Sequence, residues 1–552
     1  MDFKTIMHLG RFKDIAVILF RYGFDDVLNR LGFPTRHLPG VRHSPELKTS
    51  TFERIRRALE DLGPTFVKFG QMMSLRPDLL PYALIQELRK LREEVAPVAF
   101  PEIRVVLERS LGEPLEDIFS QFEEEPLASA SMAQVHRAVL ARSGQAVAVK
   151  VQRPGIGQVI KKDLYILEIV AQEIHERLED FRVYELPNLA RELRRTMMRE
   201  LDFTLEARNI LIFRANFQNV EHCFAPGVVY PYVRRHVLTM ELIQGRRLSE
   251  VMARTDTPEK LRLARLGLKA MVKQILEDGF FHADPHPGNI LVTDEGAICF
   301  LDWGMVGRLS REMRYEIIDL IHAIVEKDSD RVLEIVLALA RGGGSAEDRG
   351  LIHREILDLL DAYHGIPLEQ LDLGSLLLDI ATLLRDYKLH LPSDLAMMIR
   401  ALSTAEGTAR ELAPELNVIE EAEDLVRRLS MERWKPPELL RNVRRTLRYL
   451  GQMQREGPPR ILQILEKIQR GDLNVRFQHE NLGDLQRTLD SMSNRLTLGL
   501  IVAAMIIGSS MIITTGVEPY LFGYPALGII GYLVSGLFGL WLIVTIVRSR
   551  RF

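Results

Sequence analysis

The spacing of apolar residues along the chain predicts helices first, then a short sheet, then a long helical remainder. In residues 51–125, apolar side chains recur every three or four positions, as at Phe52, Ile55 and Leu59, which is the period of an amphipathic helix. The small and β-branched residues of Ala146–Lys150 are instead typical of a strand. The predicted order is helices over 51–125, strands over 126–160, long charged helices over 161–215, strands over Gly227–Leu242 and helices from 246 to about 490.

The end of the chain is more apolar than the rest. Leu496–Val517 carries no charged residue, Glu518-Pro519 interrupts the run, and Tyr520–Val547 is again uncharged. Because about 20 helical residues cross the core of a bilayer, each segment predicts a transmembrane helix, with a buried soluble hairpin as the alternative. Arginines flank both segments, which favours a cytoplasmic location for both ends. Small residues four apart favour close helix packing, within the hairpin or between two copies: Ala504 and Gly508, and Gly531, Ser535 and Gly539.

The N-terminal residues predict no signal peptide, because the apolar run Ala16–Phe20 is short and has charged neighbours. Leu9–Leu31 is expected to form a helix that either packs on the protein or lies on a membrane surface. A linker is predicted over Phe33–Ser44.

Composition narrows the class of protein only slightly. Of the 552 residues, 47% are hydrophobic, which allows a substantial core, and the formal net charge of −3 gives no support for nucleic-acid binding. The two cysteines, Cys223 and Cys299, lie far apart in the sequence and have no metal-site spacing. We therefore expect no disulfide framework and a reducing compartment.

The most informative stretch runs from His282 to Asn289 and is followed by an Asp-Trp-Gly turn. Asp284 precedes Asn289 by five residues, and Asp302 follows that asparagine by thirteen. Upstream, Lys150 ends a strand-like run. Each signal alone has an ordinary structural explanation, such as a turn or an edge lysine. Their order of helix, loop, hairpin and acidic turn is that of a kinase, and it predicts a site for ATP and Mg²⁺.

The residue types in this order suggest separate roles. Asp284 is the candidate catalytic carboxylate, which orients or deprotonates an attacking hydroxyl or water. Asn289 and Asp302 are the candidate ligands of Mg²⁺, because hard cations prefer oxygen donors. We expect His282 to brace the loop and Trp303 to pack.

The segment that would cover the phosphates contains no glycine, whereas common kinases use a glycine-rich loop there. Alanine restricts φ, so we expect a stiffer loop, and a small-residue strand packed against a neighbour is the alternative. Farther along, Met240-Glu241-Leu242 suits a hinge beside adenine. The candidate nucleotide-binding residues of the two segments are Ala128, Ser129, Ala130, Ser131, Met132, Ala133, Gln134 and Val135, and Met240 and Leu242.

Lys150 needs an acidic partner, and spacing alone does not choose it. In common kinases that glutamate lies on the next helix, and Glu168 and Glu173 are near the usual distance of about twenty residues. Glu200, Asp202 and Glu206 are expected on a second helix, and their spacing does not put all three on one face.

Two further motifs accompany those around Lys150, Asp284 and Asp302, namely Lys68-x-Gly70-Gln71 and Glu200-x-Asp202. The order of all these motifs resembles that of the UbiB family of atypical kinase-like proteins. The resemblance covers roughly residues 50–310. The C-terminal apolar pair resembles that of bacterial members. The resemblance implies that Lys68 points into the site as a second catalytic residue. It also implies that the Lys68 element, with Glu200 and Asp202, occupies the place where a protein substrate normally docks, and that Glu206 pairs with Lys150. Glu200, Asp202 and Glu206 are further candidate nucleotide-binding residues. Ala133 departs from the glycine that many members carry.

The resemblance further implies an α+β, protein-kinase-like two-lobed fold with an N-terminal helical extension and a C-terminal transmembrane helical hairpin. The expected domains are 1–50 as an amphipathic or linker segment, 51–125 as the helical extension, 126–245 as the N-lobe, 246–490 as the helical C-lobe and 496–547 as two transmembrane helices.

The family is associated with ATPase activity, ubiquinone synthesis and membrane lipids. The leading hypothesis is therefore an ATPase anchored in the bacterial inner membrane, with its kinase-like domain in the cytoplasm, that handles lipid precursors of isoprenoid quinones. The expected partners are membrane lipids, those precursors, soluble quinone-biosynthesis enzymes and a second copy of the chain, and not nucleic acid. A phosphotransferase acting on small molecules or proteins and a non-catalytic nucleotide-binding scaffold are the alternatives.

Overall fold

The computed structural model describes residues 3–30, 49–91, 95–177, 185–253, 257–340, 346–362, 372–414, 416, 421, 427–429 and 482–548. The chain forms two compact units, residues 1–440 and residues 441–552. The linker predicted over Phe33–Ser44 lies outside the described residues.

The first unit begins with helices that precede the main sheet. They are α1 Phe3–Arg21, α2 Asp25–Arg30, α3 Thr51–Leu62, α4 Pro64–Ser74, α5 Tyr82–Leu88, α6 Phe100–Leu111 and α7 Leu115–Ile118. Ile15 and Ala16 of α1 are buried, and Arg11 donates hydrogen bonds to the carboxylate of Asp163 at 2.8 Å and to the carbonyl of Leu62 at 2.6 Å. Of the two expectations for this segment, the structure therefore agrees with the packed helix.

The main sheet has the strand order β1-β3-β4-β7-β6, with β2 paired to β3. Its strands are β1 Phe119–Phe122, β2 Ala128–Ser129, β3 Ala133–Leu140, β4 Ala146–Gln152, β6 Val228–Arg234 and β7 Val237–Glu241. Three long helices lie between β4 and β6 in sequence: α8 Ile156–Arg177, α9 Leu186–Glu200 and α10 Phe203–Asn216. The strands predicted in both regions are confirmed, but β1 falls within the segment that was expected to be helical.

The alternation along β4 separates the two faces of the sheet. Val147, Val149 and Val151 are fully buried and pack against Ile103 and Leu107 of α6. Because side chains of a strand alternate between faces, Ala148 and Lys150 point to the opposite side, where Lys150 contacts Glu206 and Asp302. This side is referred to as the cleft.

The rest of the first unit is helical around small strands. Its elements are β5 Cys223–Phe224, β8 Arg246–Arg247, α11 Leu248–Met252, α12 Thr257–Val272, a π-helical turn Lys273–Asp278, β9 Phe280–His282, a 3₁₀ turn Pro287–Asn289, β10 Ile290–Val292, β11 Ile298–Phe300, β12 Val306–Arg308, α13 Arg311–Glu326, α14 Ser329–Leu339, α15 Ala346–Ala362, α16 Leu373–Asp386 and α17 Ser393–Leu412. The small strands form one sheet of order β5-β11-β10-β8 and the pair β12-β9. One large apolar core joins them to α10 and to α12–α17.

The second unit is a helical hairpin within the described residues. It consists of α18 Leu482–Thr515, the strands β13 Tyr520–Leu521 and β14 Tyr524–Pro525, and α19 Ala526–Arg548. Met492–Thr515 is long and apolar enough to cross a membrane, whereas the apolar helix Ala526–Leu542 is shorter. The second predicted span is thus only partly supported, because Tyr520–Pro525 forms a hairpin rather than the start of a helix.

Small residues bring the two helices of this hairpin together. Ser535 and Ser509 are buried, and a side chain added at Gly531 would meet Ser509. The predicted packing role of Gly531 and Ser535 is therefore confirmed within the hairpin. Gly508 has no atom close enough to contact a side chain at its position, so it does not take part in this contact.

The contact between α16 and α17 contains a buried carboxylate. Glu406 is 2% exposed; its Oε2 accepts a hydrogen bond from the amide of Gly374 at 2.7 Å, and its Oε1 accepts one from Arg410 at 3.1 Å. Asp372 caps α16 and also pairs with Arg410. Burial, followed by the charge of Asp372, raises the pKa of Glu406 to about 7.

Glu406→Gln is expected to reduce the dependence of stability on pH. Since the pKa of Glu406 in the folded protein lies above its ordinary value of 4.5, its contribution to stability is complete below that value and is lost as the pH rises through about 7. Relative to the native chain, the melting temperature of the variant should therefore rise between pH 5 and pH 8. Thermal unfolding over this range, with the exposed Glu411→Gln as a control, checks it. Parallel pH profiles for all three proteins would contradict it.

Candidate active site

Neighbouring strands place a patch of side chains on the cleft face of the main sheet. Val135 of β3 lies opposite Lys150 of β4, and Ala148 lies opposite Met240 of β7. Directly opposed residues of antiparallel strands share a face. The predicted Val135, Lys150 and Met240 are thus brought to one surface, and Ala133 shares the face of Val135 because it lies two residues earlier on the same strand.

The Lys150 ammonium is held by two carboxylates from different parts of the chain. Its Nζ lies 2.8 and 2.9 Å from the two carboxylate oxygens of Glu206 and 3.1 Å from Oδ1 of Asp302. It also lies 5.4 Å from the centre of the Phe203 ring. Burial disfavours the charge, but the two carboxylates outweigh burial and raise the pKa of Lys150. The lysine is therefore a fixed positive charge at the cleft.

Glu206 reaches Lys150 because α10 begins at Phe203, which places Glu206 in the first turn of the helix. Asp202 is the N-cap of this helix: its Oδ1 accepts hydrogen bonds from the amide of Thr204 at 3.1 Å and from the hydroxyl of Thr204 at 2.6 Å. Glu206 follows in the first helical turn and is buried. The two candidates suggested by spacing have other partners: Glu168 pairs with Arg194 and Glu173 with Arg177. The geometry therefore pairs Lys150 with Glu206.

Asp302 stands at a turn with unusual backbone geometry. Its φ is +46°, in the left-handed region that non-glycine residues seldom occupy, and its side chain is 45% exposed towards the cleft. The neighbouring Trp303 is fully buried, and its indole N–H donates to the carbonyl of Phe300 at 3.1 Å. Lys150 contributes most to lowering the pKa of Asp302, against the effect of burial, and Lys68 adds to the shift. Asp302 is thus ionised and partly open to ligands.

Hydrogen bonds fix the loop that carries Asp284. The amide of Asp284 donates to Nδ1 of His282 at 3.1 Å, and Nε2 of His282 lies 3.0 Å from the carbonyl of Leu301. The histidine therefore carries its proton on Nε2 and links the loop to the turn of Asp302. Asn289 donates its amide to the carbonyl of Asp284 at 3.4 Å, which leaves its side-chain oxygen available. His282 thus braces the loop, as predicted.

Lys68 of α4 lies at the end of α9. Its Nζ is 3.1 Å from Oε1 of Glu200, and both side chains are largely buried. Gly70, two residues later, faces the side chains of Leu59, Leu88 and Leu91, so a larger residue there would push α4 away from α5. Close packing of α4 thus depends on this glycine, two residues after the lysine.

The loop between β2 and β3 is braced from one side. The guanidinium of Arg153 donates to the hydroxyl of Ser129 at 2.7 Å and to the carbonyls of Ala130 at 2.8 Å and Ala96 at 2.9 Å. Met132 packs into the apolar cluster that contains Phe69 and Met72 of α4. Sequence reasoning missed Arg153, since no local pattern marks an arginine that folds back on a loop. The glycine-free segment is therefore held by tertiary contacts.

Three of the predicted nucleotide-binding residues make contacts within the protein. Gln134 is fully buried behind the sheet, where its side chain accepts a hydrogen bond from the amide of Val98. It belongs to the opposite face from Lys150 because it is one residue out of phase with Val135. Asp202 serves as a helix cap, and the amide of Leu242 donates to the carbonyl of Ala146 at 3.3 Å. Of the covering segment, Ala128 is exposed and Ser131 is buried.

Comparison with known proteins gives matches along most of the chain. The ABC1 atypical kinase-like domain matches residues 90–336, the UbiB helical domain residues 356–417, and the ABC1/UbiB kinase-like C-terminal domain residues 480–548.

Several curated relatives are similar over most of their length. An uncharacterized protein in the hydrogenase 1 5′ region of Clostridium pasteurianum is 31% identical over 98% of this chain and 99% of its own. A probable protein kinase UbiB of Cellvibrio japonicus is 33% identical over 88% of this chain and 87% of its own. The chloroplastic protein ACTIVITY OF BC1 COMPLEX KINASE 3 of Arabidopsis thaliana is 35% identical over 66% of this chain and 51% of its own. The chain belongs to the ABC1/UbiB family of atypical kinase-like proteins.

Proposed function

We propose that this protein is a membrane-anchored ATPase of the kinase-like type that supports the synthesis of isoprenoid quinones. The observation that carries the proposal is the position of Lys150, which contacts buried Glu206 and the partly exposed Asp302 at once. This combination holds one positive charge at the mouth of a cleft and leaves an ionised carboxylate beside it. Such an arrangement suits the phosphates of a nucleotide and their metal ion.

The sheet supplies the rest of the nucleotide site. Ala148 and Met240 lie on the cleft face, on the hinge side of Lys150, and offer an apolar surface to adenine. Ala133 and Val135 continue this surface towards the phosphates. Since Arg153 and the packing of Met132 hold the covering segment in place, the loop binds the nucleotide as a preformed surface.

Mg²⁺ fits the oxygen donors that the site offers. Asp302 is ionised and partly exposed, and Asn289 uses its amide N–H on the loop, so that its oxygen is free to face a cation. Among the described residues no group of three His, Cys, Asp or Glu side chains is arranged to hold a metal. Two protein ligands with nucleotide phosphates and water are the usual complement for Mg²⁺. The ion would supply neutralisation of the phosphate charge.

Asp284 is proposed to orient the attacking water, and α4 to restrict what else can enter. The loop of Asp284 is braced by His282 but its carboxylate stays half-buried at the cleft. The Lys68–Glu200 ion pair supports a role for α4 as a cover, as does the packing of Phe69 and Met72 against the same apolar cluster as Met132. A covered cleft favours water or a small hydroxyl over a protein chain as the acceptor.

Membrane anchoring is proposed from the C-terminal unit. The apolar helix Met492–Thr515 is long enough to cross a bilayer, and arginines flank the apolar region in the sequence. An inner-membrane location with a cytoplasmic kinase-like unit follows from this pattern. Relatives named probable protein kinase UbiB support a link to ubiquinone biosynthesis, and the handling of its lipid precursors is our proposal. Soluble quinone-biosynthesis enzymes and a second copy of the chain remain proposed partners.

Glu206→Gln is expected to weaken nucleotide binding at least tenfold, because Lys150 loses the partner that fixes its ammonium. Binding of a fluorescent ATP analogue to the purified protein measures it. Glu168→Gln is the matched control, since this glutamate pairs with Arg194 outside the site. Equal affinities in the two variants would contradict the assigned pairing.

Asp284→Asn is expected to lower ATP turnover at least 100-fold while nucleotide affinity changes little, because the carboxylate acts on the nucleophile. Release of phosphate from ATP, with and without vesicles containing phosphatidylglycerol, measures turnover. Asp294→Asn, in an exposed turn nearby, is the control. Turnover by Asp284→Asn at the native rate would remove Asp284 from the proposed mechanism.

The same reaction separates hydrolysis from phosphotransfer. With γ-labelled ATP, the proposal requires the label to appear as free phosphate when a lipid and metabolite extract is present. Label that moves to a compound in the extract would favour the phosphotransferase. No turnover with any addition, together with full function of Asp284→Asn in cells, would favour the scaffold.

Ile507→Arg is expected to release the protein from membranes, because arginine in the middle of a membrane-spanning helix costs about 3 kcal/mol. Ile507 is 62% exposed on α18. Separation of membrane and soluble fractions measures the effect. Val105→Arg, at a similarly exposed apolar position on α6, is the control. If both variants stay in the membrane fraction, α18 is not the anchor.

A further inference from the structure

Two arginines near the loop of Asp284, Arg89 and Arg400, form no ion pair with a carboxylate among the residues that the structure describes. Arg89 caps the C-terminal end of α5, and Arg400 lies two turns into α17. Within the described chain, the buried Nε atoms of both side chains lack a hydrogen-bond partner. Other partly buried arginines are paired, such as Arg76 with Asp78 at 2.7 Å. Because an uncompensated buried cation is costly, two together need an explanation.

Hydrogen bonds connect the turn before α5 with the end of α16 and the segment before α17. Arg76, just before α5, donates to the carboxylate of Asp78, which in turn accepts from the amide of Leu391 at 3.3 Å. Arg385, in the last turn of α16, donates to the carbonyl of Leu80 at 2.9 Å. The chain before α5, the helix that Arg89 caps, is thereby tied to the segment that leads into α17, the helix that carries Arg400.

Helix α17 is also connected by a hydrogen bond to the segment that carries Asp284. Asp394, in the first turn of α17, accepts a hydrogen bond from the amide of Arg308 at 3.0 Å. Arg308 ends β12, which pairs with the strand that ends at His282. Arg400 lies less than two turns beyond Asp394 on this helix, so its guanidinium is positioned from the same framework as the catalytic loop.

Electrostatics agrees with this placement. Burial, followed by the charge of Arg89, lowers the pKa of Arg400 to about 10, whereas Asp284 and Tyr82 act in the opposite direction. Arg400 thus remains protonated at neutral pH. Burial lowers the pKa of Arg89, and Tyr82 acts in the opposite direction. Because Tyr82 is 61% exposed, the cluster of Tyr82, Arg89 and Arg400 opens towards solvent. Two guanidiniums against the single carboxylate of Asp284 leave a net positive charge.

We infer that Arg89 and Arg400 form a binding site for a phosphate group beside Asp284. Guanidinium groups bind phosphate oxygens with paired, charge-assisted hydrogen bonds, and the two here carry N–H donors that no side chain of the described protein uses. The hydroxyl of Tyr82 adds a donor at the solvent side. The assignment of the ligand rests on the proposed function, because Asp284 marks the place where phosphoryl chemistry occurs.

Phosphate at this position has two possible sources with the same chemistry. One is the inorganic phosphate released by ATP hydrolysis, which would leave past Asp284. The other is the phosphate of an anionic lipid headgroup, presented by the membrane. Binding of phosphate from either source requires the two arginines.

Titration of inorganic phosphate into the full-length protein in neutral detergent, without nucleotide or Mg²⁺, tests the site directly. The native chain is expected to bind. Arg89→Gln and Arg400→Gln should each weaken binding at least tenfold, and Arg400→Lys should weaken it less. Arg109→Gln, an exposed arginine on α6, controls for the loss of one charge. Absence of binding by the native chain, or equal binding by all variants, would overturn the site.

Thermal unfolding provides a second readout that does not depend on a binding signal. Phosphate should raise the melting temperature of the native chain and of Arg109→Gln, but not that of Arg400→Gln. Without phosphate, Arg400→Gln should melt no lower than the native chain, since it removes an uncompensated cation. A large loss of melting temperature in Arg400→Gln without phosphate would show instead that the arginine is structural.

Vesicles distinguish the two sources of phosphate. If the full-length variants lose phosphate binding but show the native ATP turnover response to phosphatidylglycerol over phosphatidylcholine vesicles, the ligand is inorganic phosphate. If they lose both, the ligand is the lipid headgroup. Phosphate binding is measured without ATP, so the two proposals can fail separately. A chain that binds phosphate but neither binds nor hydrolyses ATP would contradict the proposed function and would still support the phosphate site.

Discussion

The site depends on one buried charge, the ammonium of Lys150. Burial disfavours this charge, and it persists because Glu206 and Asp302 both lie within hydrogen-bonding distance. The three residues come from β4, α10 and the turn after β11, so the ion cluster joins the main sheet to the helical part of the same unit. If either carboxylate moves, the lysine loses both its compensation and its orientation. The geometry of the cleft is therefore set by charge pairing as much as by apolar packing.

Packing then determines how open that cleft is. A glycine-rich loop would bring flexible backbone to the phosphates, whereas this chain has small residues that Arg153 and the cluster around Met132 hold in place. Phe69 and Met72 of α4 pack against the same apolar cluster, so α4 and the loop share a common apolar support. Movement of α4 would disturb the loop as well as the Lys68–Glu200 pair. A change in the position of α4 would thus reach the loop through this shared apolar cluster.

The sequence predicted the order of the elements and the polar residues of the cleft better than their partners. Helical and strand periods are local properties, and Lys150 and Asp302 lie at strand-adjacent positions that a local pattern can mark. The choice between Glu206 and Glu168 depends on where α10 starts, which Asp202 decides by capping. Gln134 was misassigned because strand phase was not applied to the covering segment. The hairpin at Tyr520–Pro525 was missed because an uncharged run does not reveal where a helix begins.

The cationic side chains of the first unit differ in whether a carboxylate lies beside them. This difference gives them different roles at the cleft. Lys68 and Lys150 each have a carboxylate within about a hydrogen-bond length, so they organise the site before any ligand arrives. Arg89 and Arg400 have none among the described residues, so their charge is available to an anion. A bound metal ion would be coordinated by Asp302, and the ammonium of Lys150 would then also form an ion pair with phosphate. The paired lysines therefore act as a framework, while the unpaired arginines provide the unsatisfied attraction beside Asp284.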